Sequence, residues 1–306
     1  MRRLEQAVEG LWFGPFTLFR RLAAWSLSPL AFLYCLVASS QFGLRRPKPQ
    51  AVPVIGLGNL LVGGTGKTPV GIALTRMLPA PAVVMRGYGR QSQGTVVVSH
   101  GGQTLAGLEA AGDEATLYAS KSPGTTVIVS ESRQAGIDEA VRLGAESIIL
   151  DDAFHHREIA KYDILLKPAK EPANRFCLPA GPYRLPFGYY RFAGTVAKEG
   201  RDFVREVTLQ SPTKRMLLVT AIANPTRLEP YLPPVVGKVF FRDHHPFSKE
   251  ELETLLKTYD ATSLLVTEKD RVKMEAFGIP LSLLALEVRI DAALEQEINH
   301  YLSTYK

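Results

Sequence analysis

The stretch Val62-Gly63-Gly64-Thr65-Gly66-Lys67-Thr68-Pro69 constrains this chain more than any other. An apolar run from Val52 to Gly58 precedes it and reads as a buried strand. Val70 to Leu78 follow with apolar residues at helical spacing. Strand, glycine loop and helix in that order are the setting of a phosphate-binding loop. Glycines let backbone N–H groups converge on phosphate oxygens, and the helix N-terminus adds its partial positive charge. The expected nucleotide-binding segment is Leu61, Val62, Gly63, Gly64, Thr65, Gly66, Lys67 and Thr68. Lys67 would reach the β- and γ-phosphates, and the Thr68 hydroxyl would be a magnesium ligand. Pro69 suits a first helical turn, which has no use for its N–H. Leu61 stands where the general pattern has its first glycine.

The chain of 306 residues is long enough for two domains. Its net charge of +6 sits almost wholly at the front: Arg2, Arg3, Arg20, Arg21, Arg45, Arg46 and Lys48 face only Glu5 and Glu9 among the first fifty residues. A nucleic-acid-binding domain would spread positive charge over its folded surface. A basic head on a near-neutral body instead suits an anionic lipid surface. Between Leu22 and Ala38 only Ser26 and Ser28 are polar, and Pro29 interrupts the run. Basic pairs on both sides favour a helix lying in one membrane interface over a span or a buried helix. Cys35 and Cys177 give no disulfide framework, which fits a reducing compartment.

The expected body alternates strands (52–58, 82–86, 125–130, 146–151) with helices (67–78, 113–121, 132–143), the pattern of a mostly parallel sheet covered by helices. The segment 168–190 is dense in proline, glycine and aromatics and reads as an ordered, functional loop. Alternation resumes with strands at 216–222, 235–242, 263–267 and 283–288 and helices at 248–258 and 290–303. The fold expected is α/β: a P-loop NTPase-like, mostly parallel sheet, a second smaller α/β lobe and an N-terminal membrane-associated helix. The boundaries are 1–46 for the membrane-associated segment, 47–195 for the nucleotide-binding domain and 196–306 for the second lobe.

Further motifs lie around this frame. Ser147 to Leu150 lead into Asp151-Asp152, an apolar strand ending in carboxylates that would lie near the magnesium. Gly112-Asp113-Glu114 opens a helix, where acidic residues also simply answer the dipole. Arg86-Gly87-Tyr88-Gly89-Arg90 follows a strand, and its arginines suit a phosphate clamp. Asp243-His244-His245 and His155-His156 hold four of the six histidines.

In this order Gly-Gly-x-Gly-Lys-Thr-Pro, Arg-Gly-Tyr-Gly, Gly-Asp-Glu, Asp-Asp-x-Phe-x-His, Leu-Pro-x-Gly-Pro-x-Arg, Ala-x-x-Asn-Pro, Asp-His-His and Thr-Glu-Lys-Asp resemble the tetraacyldisaccharide 4′-kinase family of lipid A biosynthesis. The resemblance runs from about residue 52 to 275. It implies transfer of phosphate from ATP, with Mg²⁺, to the 4′-hydroxyl of a tetraacylated glucosamine disaccharide at the cytoplasmic face of the inner membrane. It makes Asp113 the general base, with His244 beside it. Lys67 is implied to be catalytic, Arg86, Tyr88 and Arg184 to contact substrate or phosphate, and Thr68, Asp151 and Asp152 to hold the metal. Asn224, Glu268, Lys269 and Asp270 fall in second-lobe motifs without assigned tasks. Three positions depart from the family: His155 replaces Gln, Leu185 replaces Glu after the loop arginine, and Phe192-Ala193-Gly194 replaces Arg-Ala-Asp.

The partners implied are the acylated disaccharide and anionic lipid, with no nucleic acid and no obligate protein partner. A GTPase switch is the main rival, but it needs an Asn/Thr-Lys-x-Asp motif. Thr267-Glu268-Lys269-Asp270 places its lysine one residue late. A metal-dependent phosphoesterase would leave the glycine loop unused, and a nucleotide-gated membrane adaptor would draw on the departures at His155 and Leu185.

Overall fold

Strands that are apolar on both faces can only be satisfied inside a sheet covered by helices. The computed structural model, which describes residues 2–63 and 65–305, builds two such sheets. Three helices come first: α1 (Arg2–Phe13), α2 (Leu18–Ser26) and α3 (Ser28–Leu44). The first sheet takes β1 (Val54–Gly58), β2 (Pro81–Met85), β3 (Val96–His100), β4 (Gln103–Thr104), β5 (Thr126–Val129), β6 (Ser147–Asp151), β7 (Tyr162–Lys167) and β8 (Thr195–Lys198). Its order is β4-β3-β5-β2-β6-β1-β7-β8, parallel from β5 to β8 with an antiparallel β3–β4 edge. Helices α4 (Lys67–Thr75), α5 (Leu108–Ala111), α6 (Asp113–Lys121) and α7 (Arg133–Arg142) lie between these strands in the chain.

The second sheet has the order β11-β10-β12-β13-β9. It comprises β9 (Phe203–Gln210), β10 (Met216–Thr220), β11 (Gly237–Phe240), β12 (Ser263–Thr267) and β13 (Leu281–Ile290), with only β9 antiparallel to its neighbour. Helices α8 (Lys249–Thr258), α9 (Glu268–Met274) and α10 (Ala292–Thr304) complete the chain. Side chains of Ser132, Ser248, Thr267 and Asp291 accept backbone N–H groups in the first turns of α7, α8, α9 and α10, which fixes where those helices start. The last helix returns to the first sheet. Tyr301 Oη donates to the Val54 carbonyl at 3.1 Å, and Leu294 and Ile298 join the core beneath β1 and α4.

The N-terminal apolar run is not one helix. Pro29 lies in the first turn of α3, where it starts a helix rather than interrupting one. The axes of α2 and α3 meet at 58°, and no single described helix is long and apolar enough to cross a membrane. The pair exposes Leu18, Phe19, Leu22, Trp25, Leu30, Phe32, Leu33, Leu36 and Val37. Its other side is seated on the proline-rich segment. Trp12 Nε1 donates to the Pro179 carbonyl at 3.0 Å, Trp25 meets Phe176, and Phe42 packs against Phe154, Tyr189 and Phe192. Cys35 and Cys177, expected to be unpaired, form a disulfide between α3 and that segment. The fold joins two cysteines that are 142 residues apart in sequence.

The two lobes are held by α6 against α9, with Lys121 Nζ at 2.5 Å from Glu268 Oε1, and by Arg205 of β9, which donates to the Thr65 carbonyl at 3.0 Å. Beneath the loop, Gly71 of α4 lets the buried Tyr118 ring of α6 approach. A Cβ there would stand 1.8 Å from Tyr118 Oη. Gly71→Ala is expected to cost about 1–3 kcal/mol of stability through overpacking. Urea denaturation monitored by circular dichroism checks this, and Tyr118→Phe in the Gly71→Ala background should recover part of the loss.

Candidate active site

The chain leaves β1 at the centre of the first sheet, where strand order switches from β6 on one side to β7 on the other. In open α/β sheets ligands sit in the crevice beyond such a switch point. Gly66 then turns through φ +76°, a left-handed conformation suited to glycine, and α4 begins at Lys67. Gly64, one of the expected nucleotide-binding positions, lies outside the described residues.

Leu61 has a structural reason not to be glycine. It pairs with Tyr183 across an antiparallel bridge, its neighbour Val62 donates to the Pro182 carbonyl at 2.9 Å, and its side chain is buried with Phe154, Leu165 and Tyr183. The proline-rich segment is thus docked along the entry to the glycine loop. That docking delivers Arg184, whose N–H donates to the Leu60 carbonyl at 2.8 Å.

The Arg184 guanidinium grips both oxygens of Asp152, at 2.8 and 2.9 Å, and also donates to Asn59 Oδ1. Lys67 Nζ lies 3.2 Å from Asp152 Oδ1 and 3.3 Å from Asn59 Oδ1. Burial alone would raise the Asp152 pKa, but Lys67 and Arg184 outweigh it and hold the carboxyl far below its ordinary value. Its neighbour Asp151, fully enclosed at the end of β6, is pushed up to about 7 by burial against the pull of Lys67. Both oxygens of Asp152 are therefore engaged by cations of the chain. Asp151, which accepts the Asp152 N–H on one oxygen, keeps the freer carboxylate.

Across the crevice Asp113 opens α6. Gly112 precedes it at φ +82°, close against the Tyr88 carbonyl, where a Cβ would be 2.8 Å from that oxygen. Asp113 is buried, and His244 of the second lobe donates Nδ1–H to its carboxylate at 2.9 Å. His244 Nε2 is 3.3 Å from Lys269 Nζ, and the Tyr88 ring lies 5.2 Å from the imidazole. Burial would raise the Asp113 pKa, but the His244 bond and the charges of Lys269 and Lys273 bring it below its ordinary value. The same bond raises His244, against desolvation and Lys269.

Other residues read from the sequence find different places. Arg86 is exposed at the end of β2. Arg90 is not available as a phosphate clamp, because it pairs with Glu131 and donates to the carbonyls of Val129 and Gly94. Asp270 is buried and accepts from Thr220 and from the Ala221 N–H, which pins the end of β10. Asn224 is exposed and accepts from Thr226. Leu185 lies in the aromatic cluster with Tyr183 and Tyr190, so a glutamate there would be buried among apolar groups. The His155 ring lies tilted against that of His156 at 4.3 Å, beside Asp152 and Arg184, and burial holds its pKa down to about 4.

Sequence reading missed Asn59, Arg133 and Arg205. Arg133 is buried at the start of α7 and feels the charges of Asp151 and Asp152. A signal for it existed: two adjacent acids at a sheet edge call for cations from neighbouring strand ends, and Arg133 follows β5. Among the described residues, buried Thr65 Oγ1, Asn59 Nδ2 and Arg133 Nε have no hydrogen-bond partner. Unpaired donors at a loop of this kind suit a ligand rich in acceptor oxygens.

The model of the tetraacyldisaccharide-1-P 4′-kinase family matches residues 23–206 and 193–305. The chain belongs to that family. A tetraacyldisaccharide 4′-kinase of Helicobacter pylori is 42% identical over 306 residues, covering 100% of this chain and 97% of the relative. One of Aliarcobacter butzleri is 38% identical, with 97% of each covered. The crystal structure of the family member LpxK from Aquifex aeolicus in complex with ATP superposes with a TM-score of 0.76 at 28% identity, over 91% of this chain and 99% of that one.

The dyad joins two lobes, so its charge state should show in stability. The Asp113 contribution is present above the ordinary carboxylate value of 3.8 and is lost as pH falls through its lowered folded value. The His244 contribution is complete below the ordinary imidazole value of 6.5 and is lost as pH rises through its raised folded value. The melting-temperature difference between the native chain and His244→Gln should therefore be largest between these two pH values and shrink on either side. A difference independent of pH would show that the contact is not ionic.

Proposed function

We propose that this chain transfers the γ-phosphate of ATP to the 4′-hydroxyl of a tetraacylated glucosamine disaccharide 1-phosphate, a step of lipid A biosynthesis. Family membership supports the reaction class. The observation that carries the mechanism is the Asp113 carboxylate, held by a histidine of the other lobe across the crevice from the Lys67 loop.

In this reading the acceptor sugar lies between the two sides of the crevice. Lys67 and the backbone N–H groups of the loop hold the β- and γ-phosphates, and Arg86, Tyr88 and Arg184 border the acceptor and the transferred group. Asp113 takes the 4′-hydroxyl proton as the new O–P bond forms. It need not be a strong base, because the hydroxyl becomes acidic only as that bond develops. His244 fixes the carboxylate, and Lys269 offsets the negative charge around it.

The donors present fit a magnesium ion. The Thr68 hydroxyl has no hydrogen-bond partner among the described residues, and the Asp151 carboxylate is buried with an oxygen to spare. When bound, Mg²⁺ would neutralise phosphate charge and favour the ionised form of Asp151. Asp152, expected as a second ligand, serves in this reading to position Lys67 and Arg184. The bent pair α2–α3 would lie in the headgroup region of the cytoplasmic leaflet with its exposed apolar side in the lipid, so that the crevice meets the sugar at the membrane surface. The units of this reading are 1–46 as anchor, 47–195 as nucleotide-binding domain and 196–306 as the lobe that closes the crevice.

Incubating the purified chain with ATP, Mg²⁺ and the 4′-dephosphorylated lipid tests the activity, and phosphate must appear at the 4′ position. Lys67→Ala should abolish transfer while leaving the fold intact by circular dichroism, with a modest fall in thermal stability because Asp152 keeps only Arg184. Asp113→Asn should lower kcat by about 10²–10⁴-fold with little change in the KM for ATP. His244→Ala should move the acidic limb of the pH–rate profile and add little to Asp113→Asn, because the two act as one unit. Additive losses with an unmoved limb would separate them. Phe32→Glu combined with Leu36→Glu should release the chain from anionic vesicles in a flotation assay without altering ATP binding.

A further inference from the structure

The catalytic crevice does not use a second cluster of cations beside it. β7 and β8 end side by side at Lys167 and Lys198, which pair in register. Beyond them a cavity of about 510 Å³ is lined by Lys167, Glu171, Tyr190, Arg191, Lys198 and Arg201. Four cations face one carboxylate in the lining, with Asp202 just outside it bound to Arg201 at 2.8 Å. Lys167 is 2.9 Å from Glu171 and lies over the Tyr190 ring at 4.9 Å. Among the described residues neither Arg191 nor Lys198 makes an ion pair, and both are exposed.

The cavity also holds a buried donor without a partner. Tyr190 is only 8% exposed, and its hydroxyl makes no hydrogen bond among the described residues. An oxygen-rich anion would answer the surplus of positive charge beside the Tyr190 ring.

Its position indicates what carries that anion. The wall is the short 3₁₀ helix Phe187–Phe192. Tyr189 and Phe192 of that helix pack on Phe42 of α3. The same segment carries Arg184 three residues before the helix starts. The cavity therefore shares a wall with the segment that seats α3, the helix whose exposed apolar side would face lipid in the reading above.

We propose that this cavity binds a phosphate carried on a lipid, distinct from the phosphate being transferred; the proposal rests on the lipid-kinase reading above. Two lipids supply this chemistry: the acceptor itself through its 1-phosphate, and a neighbouring anionic phospholipid through its headgroup. Either would hold the enzyme and acceptor in a fixed relation through charge rather than through contact with the reacting sugar.

The test is Arg191→Glu combined with Lys198→Glu, two exposed positions outside the catalytic crevice. Lys249→Glu combined with Lys257→Glu on α8 is the control of equal charge. The pocket variant should raise the KM for the lipid at least tenfold, or weaken co-sedimentation with phosphatidylglycerol vesicles at least tenfold, with kcat and the KM for ATP unchanged. The control should do neither. If the 1-phosphate is the occupant, the KM effect persists in neutral detergent micelles and disappears with an acceptor lacking that phosphate. If a phospholipid is the occupant, the effect is absent in neutral micelles and appears with phosphatidylglycerol vesicles. An active enzyme in which the pocket variant matches the control in every arm overturns the proposal. A native chain without kinase activity would overturn the underlying reading instead, and the vesicle arm reads the pocket independently of that activity.

Discussion

The structure depends most on a short row of charges and amides at the end of the central strand: Lys67, Asn59, Asp152 and Arg184. Each comes from a different source, namely the glycine loop, the end of β1, the residue after β6 and the proline-rich segment. A carboxylate drawn partly out of water is costly unless cations and hydrogen bonds replace the water it loses. Asp152 is given two cations, and in return it draws Lys67 and Arg184 to one point. The positions of the glycine-loop lysine and of the proline-rich segment are thus tied to one carboxylate.

This arrangement also explains why the apolar N-terminal helices do not form a loosely attached tail. The segment that delivers Arg184 is the same one that seats α1, α2 and α3, through Trp12, Trp25, Cys35 and Phe42. Apolar packing on one side of that segment and ionic contact on the other make it a link between the N-terminal helices and the glycine loop. A displacement of α3 would be transmitted to Arg184 and then to Asp152.

Much of the fold was legible because its signals are local. Central parallel strands are continuously apolar, and the glycine loop announces the strand before it and the helix after it, so β1, β2, β5, β6, α4, α6 and α7 fall within a few residues of expectation. The β3–β4 edge, β8 and β9 went unread because they are short or partly exposed and lack a long apolar run. Helix α9 was hidden inside Thr267-Glu268-Lys269-Asp270, which reads as a motif although Thr267 is a helix cap. The break at Leu27 between α2 and α3 is marked in the sequence only by Ser26, Ser28 and Pro29, too few polar residues to separate two helices by hydropathy. At the site, the reactive types could be listed from sequence, but Asn59, Arg133 and Arg205 could not. An amide or an arginine gains a function only from what the fold sets opposite it, and here those partners come from distant strand ends and from the other lobe.

The contacts between lobes bear on how the chemistry would be timed. His244 reaches Asp113 from the second lobe, Lys121 of α6 reaches Glu268, and Arg205 of β9 reaches the Thr65 carbonyl in the glycine loop. The nucleotide side and the acceptor side of the crevice are therefore each touched by the second lobe. His244 itself holds a left-handed backbone at φ +62°, a conformation that costs a non-glycine residue energy and persists only when its surroundings fix it. Here they do so through Asp113, Asp243 and Lys269. If the lobes separated, the imidazole would lose the carboxylate that raises its pKa, and Asp113 would lose the donor and the cations that offset its burial. Asp113 and the glycine loop are thus both held by contacts from the same second lobe.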